Sequence, residues 1–353
     1  MLHIFHQRDW SIEGSPFVLE LKRLGTPHRV FNAPLSLRYK SRRELFTRIY
    51  PTLAWNTLRL GIRSMARSTP APDTILVSTD IEAVLAGLVR RLLRKRTRIV
   101  MQNLIITPRR TRAQNRLYMA YWHCILASID LGICHAFSEV ESYRRLFPRY
   151  AHKFVHVPYG TTVAYEPTRA QPASQPVIVA AGRSGRDYPT LAKAVDGLPC
   201  TLKIICDTQT PVAELEPSPQ IEVLTACFGT DYLQTLATAT MVVVPLDVDD
   251  ISAGQMVYLQ AAALGRPVIL TETSTTTEYV TDGVNALLVP RRDVPALRAA
   301  IQRLLTDPAF AARLGEAAQL HFKARHSTEA YVRNVVAALH QPGSDDPLAI
   351  NAS

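Results

Sequence analysis

Two short segments combine residues suited to binding an anion. Gly182-Arg183 and Arg186 follow the apolar run VIVAA, where a loop would leave a strand. Arginine can hold a phosphate group through two parallel hydrogen bonds. Ser252-Ala253-Gly254-Gln255 precedes an apolar helical run, and the first N–H groups of a helix attract anions. These segments predict a phosphate-binding site, although solvated loop arginines and a simple helix cap at Ser252 are open alternatives.

Strand-like and helix-like runs alternate along the chain. In the first half, LHIFH, TILVST and RIVMQNLI alternate with amphipathic runs such as FVLELKRL and IEAVLAGLVRRLL. The second half restarts at VIVAAG, and runs such as MVVVPL are apolar on both faces, as buried parallel strands require. The alternation predicts an α/β protein with doubly wound parallel sheets.

The two halves differ in charge and are separated by a polar segment. Residues 1–165 hold 26 Lys and Arg against 10 Asp and Glu, a net +16, and the remainder holds 14 against 20, a net −6. The polar stretch 161–175 breaks the alternation. For 353 residues we therefore predict domains at 1–165 and 166–341, followed by a flexible tail at 342–353.

Several function classes lack support in the sequence. The five cysteines are scattered without a CxxC pair, which favours a reducing compartment over a disulfide framework. No Walker motif, GxGxxG after a strand or GxSxG is present. The N-terminus does not read as a signal peptide, and no apolar run is long enough to span a bilayer. The expected location is cytoplasmic.

The segment from Ser252 to Pro290 resembles the donor-binding part of GT-B glycosyltransferases. It reads SAGQMVYLQAAALGRPVILTETSTTTEYVTDGVNALLVP and is followed by DVPALRAAIQRLLTD. Upstream, GRSGRDYPTLAKAV and LATATMVVVPL carry the same resemblance, whereas the first half resembles the family only loosely. The likeness is in particular to the large retaining family known as glycosyl transferases group 1, or family 4-like enzymes.

The resemblance implies an α/β fold of the GT-B type, with two doubly wound Rossmann-like domains facing a cleft. The second domain would bind a nucleotide-diphosphate sugar, and the first would bind a glycan or lipid-linked acceptor. Sugar transfer would retain the anomeric configuration without a metal or a cofactor beyond the donor substrate. The implied setting is cell-envelope polysaccharide or glycolipid synthesis.

The resemblance also assigns roles to individual residues. Arg183, Arg186 and the helix start near Gly254 would stabilise the departing diphosphate. Ser252 and Gln260 occupy the positions of a family pair of glutamates, so hydrogen bonds to sugar and ribose hydroxyls replace carboxylates there. The predicted catalytic residues are Arg183, Arg186, Ser252 and Asn103, and the predicted donor-binding residues are Gly182, Ala253, Gly254, Gln255, Gln260 and Glu278.

Alternatives exist for several of these roles. Asp249 or Asp250 could replace the first missing glutamate, and Glu278 could simply stabilise a short helix. In the first half, relatives often place a histidine where RIVMQNLII offers Gln102 or Asn103; neither is a general base, but Asn103 could bind the sugar. The loop after the first strand contributes the further candidates His6, Asp9 and Glu13, with His6 equally suited to a core position.

A basic stretch at residues 38–67 suggests a partner for the first domain. From Pro51 a predicted helix carries an apolar stripe that includes Trp55 and Met65. Its basic stripe consists of Arg59, Arg63 and Arg67. The helix is either an ordinary surface helix or a peripheral helix on an anionic membrane at the inner face of the plasma membrane. Nucleic acid is not expected as a partner, because no recognised readout module is present.

Three other interpretations stay open. The missing carboxylates suit a catalytically silent relative that acts as a binding or scaffold partner of an active transferase. An inverting transferase could share the fold. Asp247-Val248-Asp249 resembles the metal-binding motif of single-domain sugar transferases, whose oxygen ligands suit manganese, although we expect no metal site.

Overall fold

The computed structural model of the protein describes residues 1–8, 12–36, 42–106, 112–161, 175–207, 212–249 and 251–340. The chain divides into two units, one comprising Met1–Pro158 and Val332–Ser353 and the other Tyr159–Tyr331. The division falls at Pro158/Tyr159, and the last helix returns to the first unit. The expected boundary at 165/166 and the expected tail at 342–353 lie outside the described residues.

The first unit alternates strands and helices. Its elements are β1 (Leu2–His6), α1 (Pro16–Arg23), β2 (His28–Asn32), α2 (Arg42–Glu44), a π-helical turn (Leu45–Ile49), α3 (Tyr50–Arg67), β3 (Thr74–Val77), α4 (Asp80–Leu92), β4 (Arg98–Met101), α5 (Arg112–Ser128), β5 (Leu131–Cys134), α6 (Phe137–Leu146), a 3₁₀ helix (Pro148–Lys153) and β6 (Phe154–His156). In the described residues the strands form one parallel sheet in the order β2-β1-β3-β4-β5-β6. Strands β3 and β5 are buried along their whole length, because helices cover both faces of a doubly wound sheet.

The second unit repeats this architecture. Its elements are β7 (Val177–Ala181), α7 (Tyr188–Val195), β8 (Thr201–Ile205), β9 (Ile221–Leu224), α8 (Gly229–Ala237), β10 (Met241–Val244), α9 (Gln255–Ala263), β11 (Val268–Thr271), a 3₁₀ helix (Thr276–Glu278), β12 (Leu287–Val289), α10 (Val294–Thr306) and α11 (Pro308–Arg325), followed by α12 (Thr328–His340). The sheet order in the described residues is β12-β11-β10-β7-β8-β9. The two Rossmann-like units predicted from the sequence are confirmed. The chain leaves β7 and β10 towards opposite edges of the sheet, and ligands of such sheets bind beyond the carboxyl ends of these two strands.

Helix α3 buries a different face from the predicted apolar stripe. Met65 is 1% exposed and packs in the core, whereas Trp55 is 63% and Ile62 42% exposed. The buried face also includes the small residues Gly61 and Ser64, since α3 packs closely on α4, with Gly61 against Val89. The predicted single stripe is therefore wrong, because close helix packing favours small residues over the larger apolar side chains.

The last helix ties the end of the chain to the first unit. Val332 and Val335 of α12 are buried, and Nη1 of Arg98 in β4 donates to the carbonyl oxygen of Leu339 at 2.8 Å. Within the described part of the chain, none of the helices combines the length and the apolar character needed to cross a membrane.

Two buried histidines make the stability of the first unit dependent on pH. Burial lowers the pKa of His3 and of His135 from 6.5 to about 4. Between those values the unfolded chain binds more protons than the folded one, so the free energy of unfolding decreases as pH falls through this window. The expected loss is up to about 1.4 kcal/mol per pH unit for each histidine. All three tryptophans lie in the first unit, so urea unfolding followed by tryptophan fluorescence reports it.

The variant His3→Gln is expected to flatten the dependence of the urea midpoint on pH. His340→Gln is the matched control, because this histidine is exposed at the end of α12. Equal slopes for the two variants would contradict the prediction.

Candidate anion-binding site in the second unit

The loop after β7 brings a guanidinium group against the backbone. Gly182 has φ +112°, and its N–H donates to the carbonyl oxygen of Ile205 at 3.0 Å. A Cβ atom at this position would lie 2.4 Å from Nη2 of Arg186. Glycine is therefore required here both by the backbone conformation and by the close approach of the Arg186 side chain.

Arg186 is held by backbone carbonyl groups, and none of the described carboxylates pairs with it. Its Nε donates to the carbonyl oxygen of Ala181 and its Nη1 to that of Ser184, both at 2.8 Å. Within the described residues it forms no ion pair. Burial lowers its pKa, and the ionisable groups that act on it are Tyr188, Tyr232 and Cys206. The site thus contains a fixed, partly buried positive charge without a counter-anion among these residues.

The start of helix α9 lies beside this charge. Gly254 is its N-cap with φ +83°, and as a glycine it has no side chain that could cap the first turn. A Cβ atom at Gly254 would lie 3.8 Å from Nη2 of Arg186. The N–H groups of the first turn have no partners within the helix and carry the positive end of its dipole. Arg186 and the start of α9 therefore favour an anion at the same place.

Gln255 adds an unused donor to this helix start. Its Nε2 is buried and has no hydrogen-bond partner among the described residues. A buried donor without a partner is unfavourable, so a ligand acceptor at this position would be stabilised.

Arg183 differs from Arg186 in exposure and in partner. Its side chain is exposed, and its Nη1 lies 3.2 Å from Oδ2 of Asp207. Surface ion pairs of this kind contribute little to stability. The side chain of Arg183 can therefore exchange Asp207 for a ligand phosphate at small cost.

The two polar positions that replace the family glutamates have different surroundings. Oε1 of Gln260 accepts from the hydroxyl group of Tyr232 at 2.9 Å, and burial raises the pKa of Tyr232. The bond from Tyr232 thus uses the amide oxygen of Gln260, and the amide nitrogen is the donor of this side chain. Ser252 and Ala253 are partly buried directly before the start of α9. Glu278 is exposed at the end of a 3₁₀ helix.

The alternative metal motif is engaged by protein donors. Arg292 donates to both carboxylate oxygens of Asp247, at 2.6 and 2.8 Å. Oδ1 of Asp249 accepts from the N–H of Ser274 at 3.0 Å. In the described residues, no group of three or more His, Cys, Asp or Glu lies close enough to hold a metal ion. Both carboxylates of the motif are therefore bonded to protein donors. Asp250, which with Asp249 could replace the first missing glutamate, lies outside the described residues.

In the first unit, Asn103 pairs with a histidine that sequence analysis did not single out. Oδ1 of Asn103 lies 2.7 Å from Nε2 of His135, and Nδ1 of the same ring lies 3.0 Å from the carbonyl oxygen of Val157. Because the lowered pKa keeps His135 neutral, only one ring nitrogen carries a proton. If the proton is on Nδ1 and is donated to the carbonyl oxygen of Val157, Nε2 is an acceptor. The side-chain amide of Asn103 would then turn its nitrogen towards Nε2 to donate to it, and its oxygen could accept a hydrogen bond from a ligand. The sequence feature that could have identified His135 as a candidate is its position directly after the buried strand β5.

The other described candidates of the first half, His6 and Glu13, differ in exposure. His6 is buried at the end of β1, which agrees with the core alternative, and Glu13 is exposed. Asp9 lies outside the described residues.

Comparison with known proteins identifies the second unit. Residues 176–307 match the family model described as glycosyl transferases group 1. Among curated protein sequences, none matches this chain.

Solved structures share the fold over the whole chain. Sucrose-phosphate synthase from Thermosynechococcus elongatus superposes with a TM-score of 0.71 at 19% identity, covering 96% of this chain and 98% of that one. HepE from Anabaena, in complex with UDP and glucose, gives a TM-score of 0.65 at 15% identity, with 97% and 99% covered. α,α-Trehalose 6-phosphate synthase from Burkholderia multivorans gives 0.66 at 13% identity, with 96% and 98% covered. At these identities the likeness defines the fold.

The fold and the family match together define the class. The protein is a glycosyltransferase with the GT-B fold. More narrowly, its second unit carries a glycosyl transferases group 1 domain at residues 176–307, so the expectation of an enzyme of this class is confirmed.

Proposed function

We propose that the protein transfers a sugar from a nucleotide-diphosphate sugar to a glycan or lipid-linked acceptor. The observation that carries the proposal is Arg186, a partly buried cation that forms no ion pair among the described residues and lies beside the start of α9. This pair lies beyond the carboxyl ends of β7 and β10, where doubly wound sheets bind their ligands. A diphosphate supplies the negative charge that this arrangement favours.

The same groups would act on the departing diphosphate. As the bond to the sugar breaks, negative charge grows on the diphosphate, and preorganised donors that meet it lower the barrier. Arg186 and the first turn of α9 are such donors, and Arg183 joins them by leaving Asp207. Because these groups supply positive charge, we propose a metal-independent reaction. We further propose retention of the anomeric configuration, with a diphosphate oxygen taking the acceptor proton.

The donor and the acceptor can be proposed more narrowly. The HepE structures hold UDP, glucose or UDP-glucose, which supports a UDP-sugar as the donor to test first. For the acceptor, Trp55 and Ile62 on the exposed face of α3 lie near Arg59, Arg63 and Arg67. Aromatic, apolar and basic side chains on one helix face favour an anionic membrane surface. We therefore propose a membrane-borne acceptor in cell-envelope polysaccharide or glycolipid synthesis.

Thermal melting in EDTA against a panel of UDP-, GDP-, TDP-, ADP- and CMP-sugars tests the donor site. A ligand at about 100 times its dissociation constant stabilises the protein by about 2.7 kcal/mol. For a unit of this size the melting temperature then rises by about 2–4 °C per kcal/mol. We expect one base to give this shift without a metal, and the NMR anomeric signal of the product to match that of the donor.

Three outcomes would contradict the proposal. A shift that requires manganese would return weight to Asp247 and Asp249, and a product of inverted configuration would exclude retention. Binding of a nucleotide sugar without turnover on any acceptor would favour a scaffold role.

A further inference from the structure

The first unit contains an open groove lined by four arginines. The groove has a volume of about 670 Å³ and lies between the edge strand β2 and helix α3. Arg29 comes from β2, whereas Arg59, Arg63 and Arg67 come from successive turns of α3. No aspartate or glutamate is among its described lining residues. The groove belongs wholly to the first unit and does not depend on the proposed donor chemistry.

The four guanidinium groups have no carboxylate partner among the described residues. In the part of the chain that the structure describes, none of them takes part in an ion pair. Elsewhere in the same unit arginines do pair with carboxylates, as Arg23 does with Glu20 and Arg48 with Glu44. Four like charges around one groove repel one another, and an anion bound among them would relieve this repulsion.

Two of the arginines are positioned by an aromatic ring. The guanidinium carbons of Arg29 and Arg63 lie 5.6 and 6.0 Å from the centre of the buried Phe31 ring. Such cation–π contacts hold the two side chains from β2 and α3 in place. A donor that is already oriented loses less conformational entropy when it binds a ligand.

The spacing of the arginines sets the size of the anion. Residues 59 and 67 are eight positions apart, which spans about 12 Å along a helix. A single phosphate group is too small to contact the whole row, whereas a diphosphate or two separate phosphates can contact several guanidinium groups. Asn32, Asn56 and Ser68 add uncharged polar groups to the lining.

We propose that this groove binds a phosphate-bearing molecule with at least two phosphate groups, as in a diphosphate. Guanidinium groups match phosphate oxygens through paired, charge-assisted hydrogen bonds. The molecule is either soluble or carried by a membrane lipid, and both present the same chemistry to the arginines.

Calorimetric titration of the full chain with inorganic pyrophosphate tests the site. The double variant Arg63→Gln/Arg67→Gln is expected to weaken this binding step by at least about tenfold, since it removes two charge-assisted donors. The matched control, Lys95→Gln/Arg96→Gln, removes the same charge from exposed residues of the same unit. Both variants keep the second unit intact, so any pyrophosphate bound near α9 contributes equally to both. Arg59→Gln/Arg67→Gln, which keeps Arg63 against Phe31, serves if the first variant does not fold.

A second arm identifies the source of the phosphate. The same variants are sedimented with vesicles of phosphatidylcholine and phosphatidylglycerol. A further variant, Trp55→Ser/Ile62→Ser, which replaces two exposed apolar side chains of α3, is sedimented in the same way. Loss of pyrophosphate binding with vesicle binding retained supports a soluble molecule, and loss of both supports a membrane-borne group. Equal pyrophosphate affinities in the groove variant and its control overturn the proposal, whatever happens with vesicles.

Discussion

Replacing Arg186 by glutamine is expected to lower the rate of sugar transfer by about 10²- to 10³-fold, the usual cost of losing one preorganised donor from a site where charge develops. The reason is the position of the guanidinium group, which two backbone carbonyl groups hold beside the start of α9. Glutamine can keep one of these hydrogen bonds but carries no charge. The measurement is kcat with saturating donor, together with calorimetric melting.

The control for this variant is Arg266→Gln. Arg266 is likewise partly buried, with a pKa lowered by burial, and donates to the carbonyl oxygens of Leu264 and Ala239. It lies after the C-terminal end of α9, away from the proposed anion. Both variants are expected to lose some stability, but only Arg186→Gln is expected to lose turnover. Equal activity of the two folded variants would contradict the role given to Arg186.

The second large effect is expected for Gly254→Ala. A Cβ atom there would lie 2.7 Å from Cγ1 of Val244, and the residue has φ +83°. The left-handed backbone and the crowding together are expected to destabilise the second unit by about 2–3 kcal/mol. A displaced helix start would also weaken nucleotide binding, because its N–H groups would no longer point at the Arg186 anion site. Calorimetry with and without the nucleotide measures both effects.

Gly197→Ala separates the two causes. Gly197 has φ +69°, but a Cβ atom there would meet nothing within 4 Å. In this control only the left-handed backbone conformation lowers the free energy of unfolding, by about 1 kcal/mol. The variant is expected to bind nucleotide normally. If Gly254→Ala lost no more stability and no more affinity than Gly197→Ala, the anion site would not depend on the start of α9.

The elements were predictable because parallel strands covered on both faces must be apolar throughout. The run MVVVPL became β10, which ends at Val244 directly before a proline, and the run VIVAAG became β7, which ends at Ala181 directly before a glycine. The rotation of α3 could not be predicted in this way. Its periodicity was correct, but which face is buried depends on α4, which accepts Gly61 at close range and leaves Trp55 exposed.

The candidate site was only partly predictable for the same reason. Arg183 and Arg186 both follow β7 within a few residues. Their spacing does not show that Arg183 pairs with Asp207 whereas Arg186 is held by backbone carbonyl groups. The surroundings of such a side chain depend on partners that are distant in sequence. Arg292 engages Asp247 and Tyr232 engages Gln260, and neither pairing leaves a local pattern in the sequence.

The return of α12 to the first unit reverses the order in which the two units can be completed during synthesis. N-terminal domains ordinarily fold first as the chain leaves the ribosome. Here residues 159–331 are made in full while the first unit still lacks the helix that buries Val332 and Val335 and accepts the hydrogen bond of Arg98. The unit made first is therefore finished last, and a fragment that ends at Pro158 would leave the surface that receives α12 uncovered.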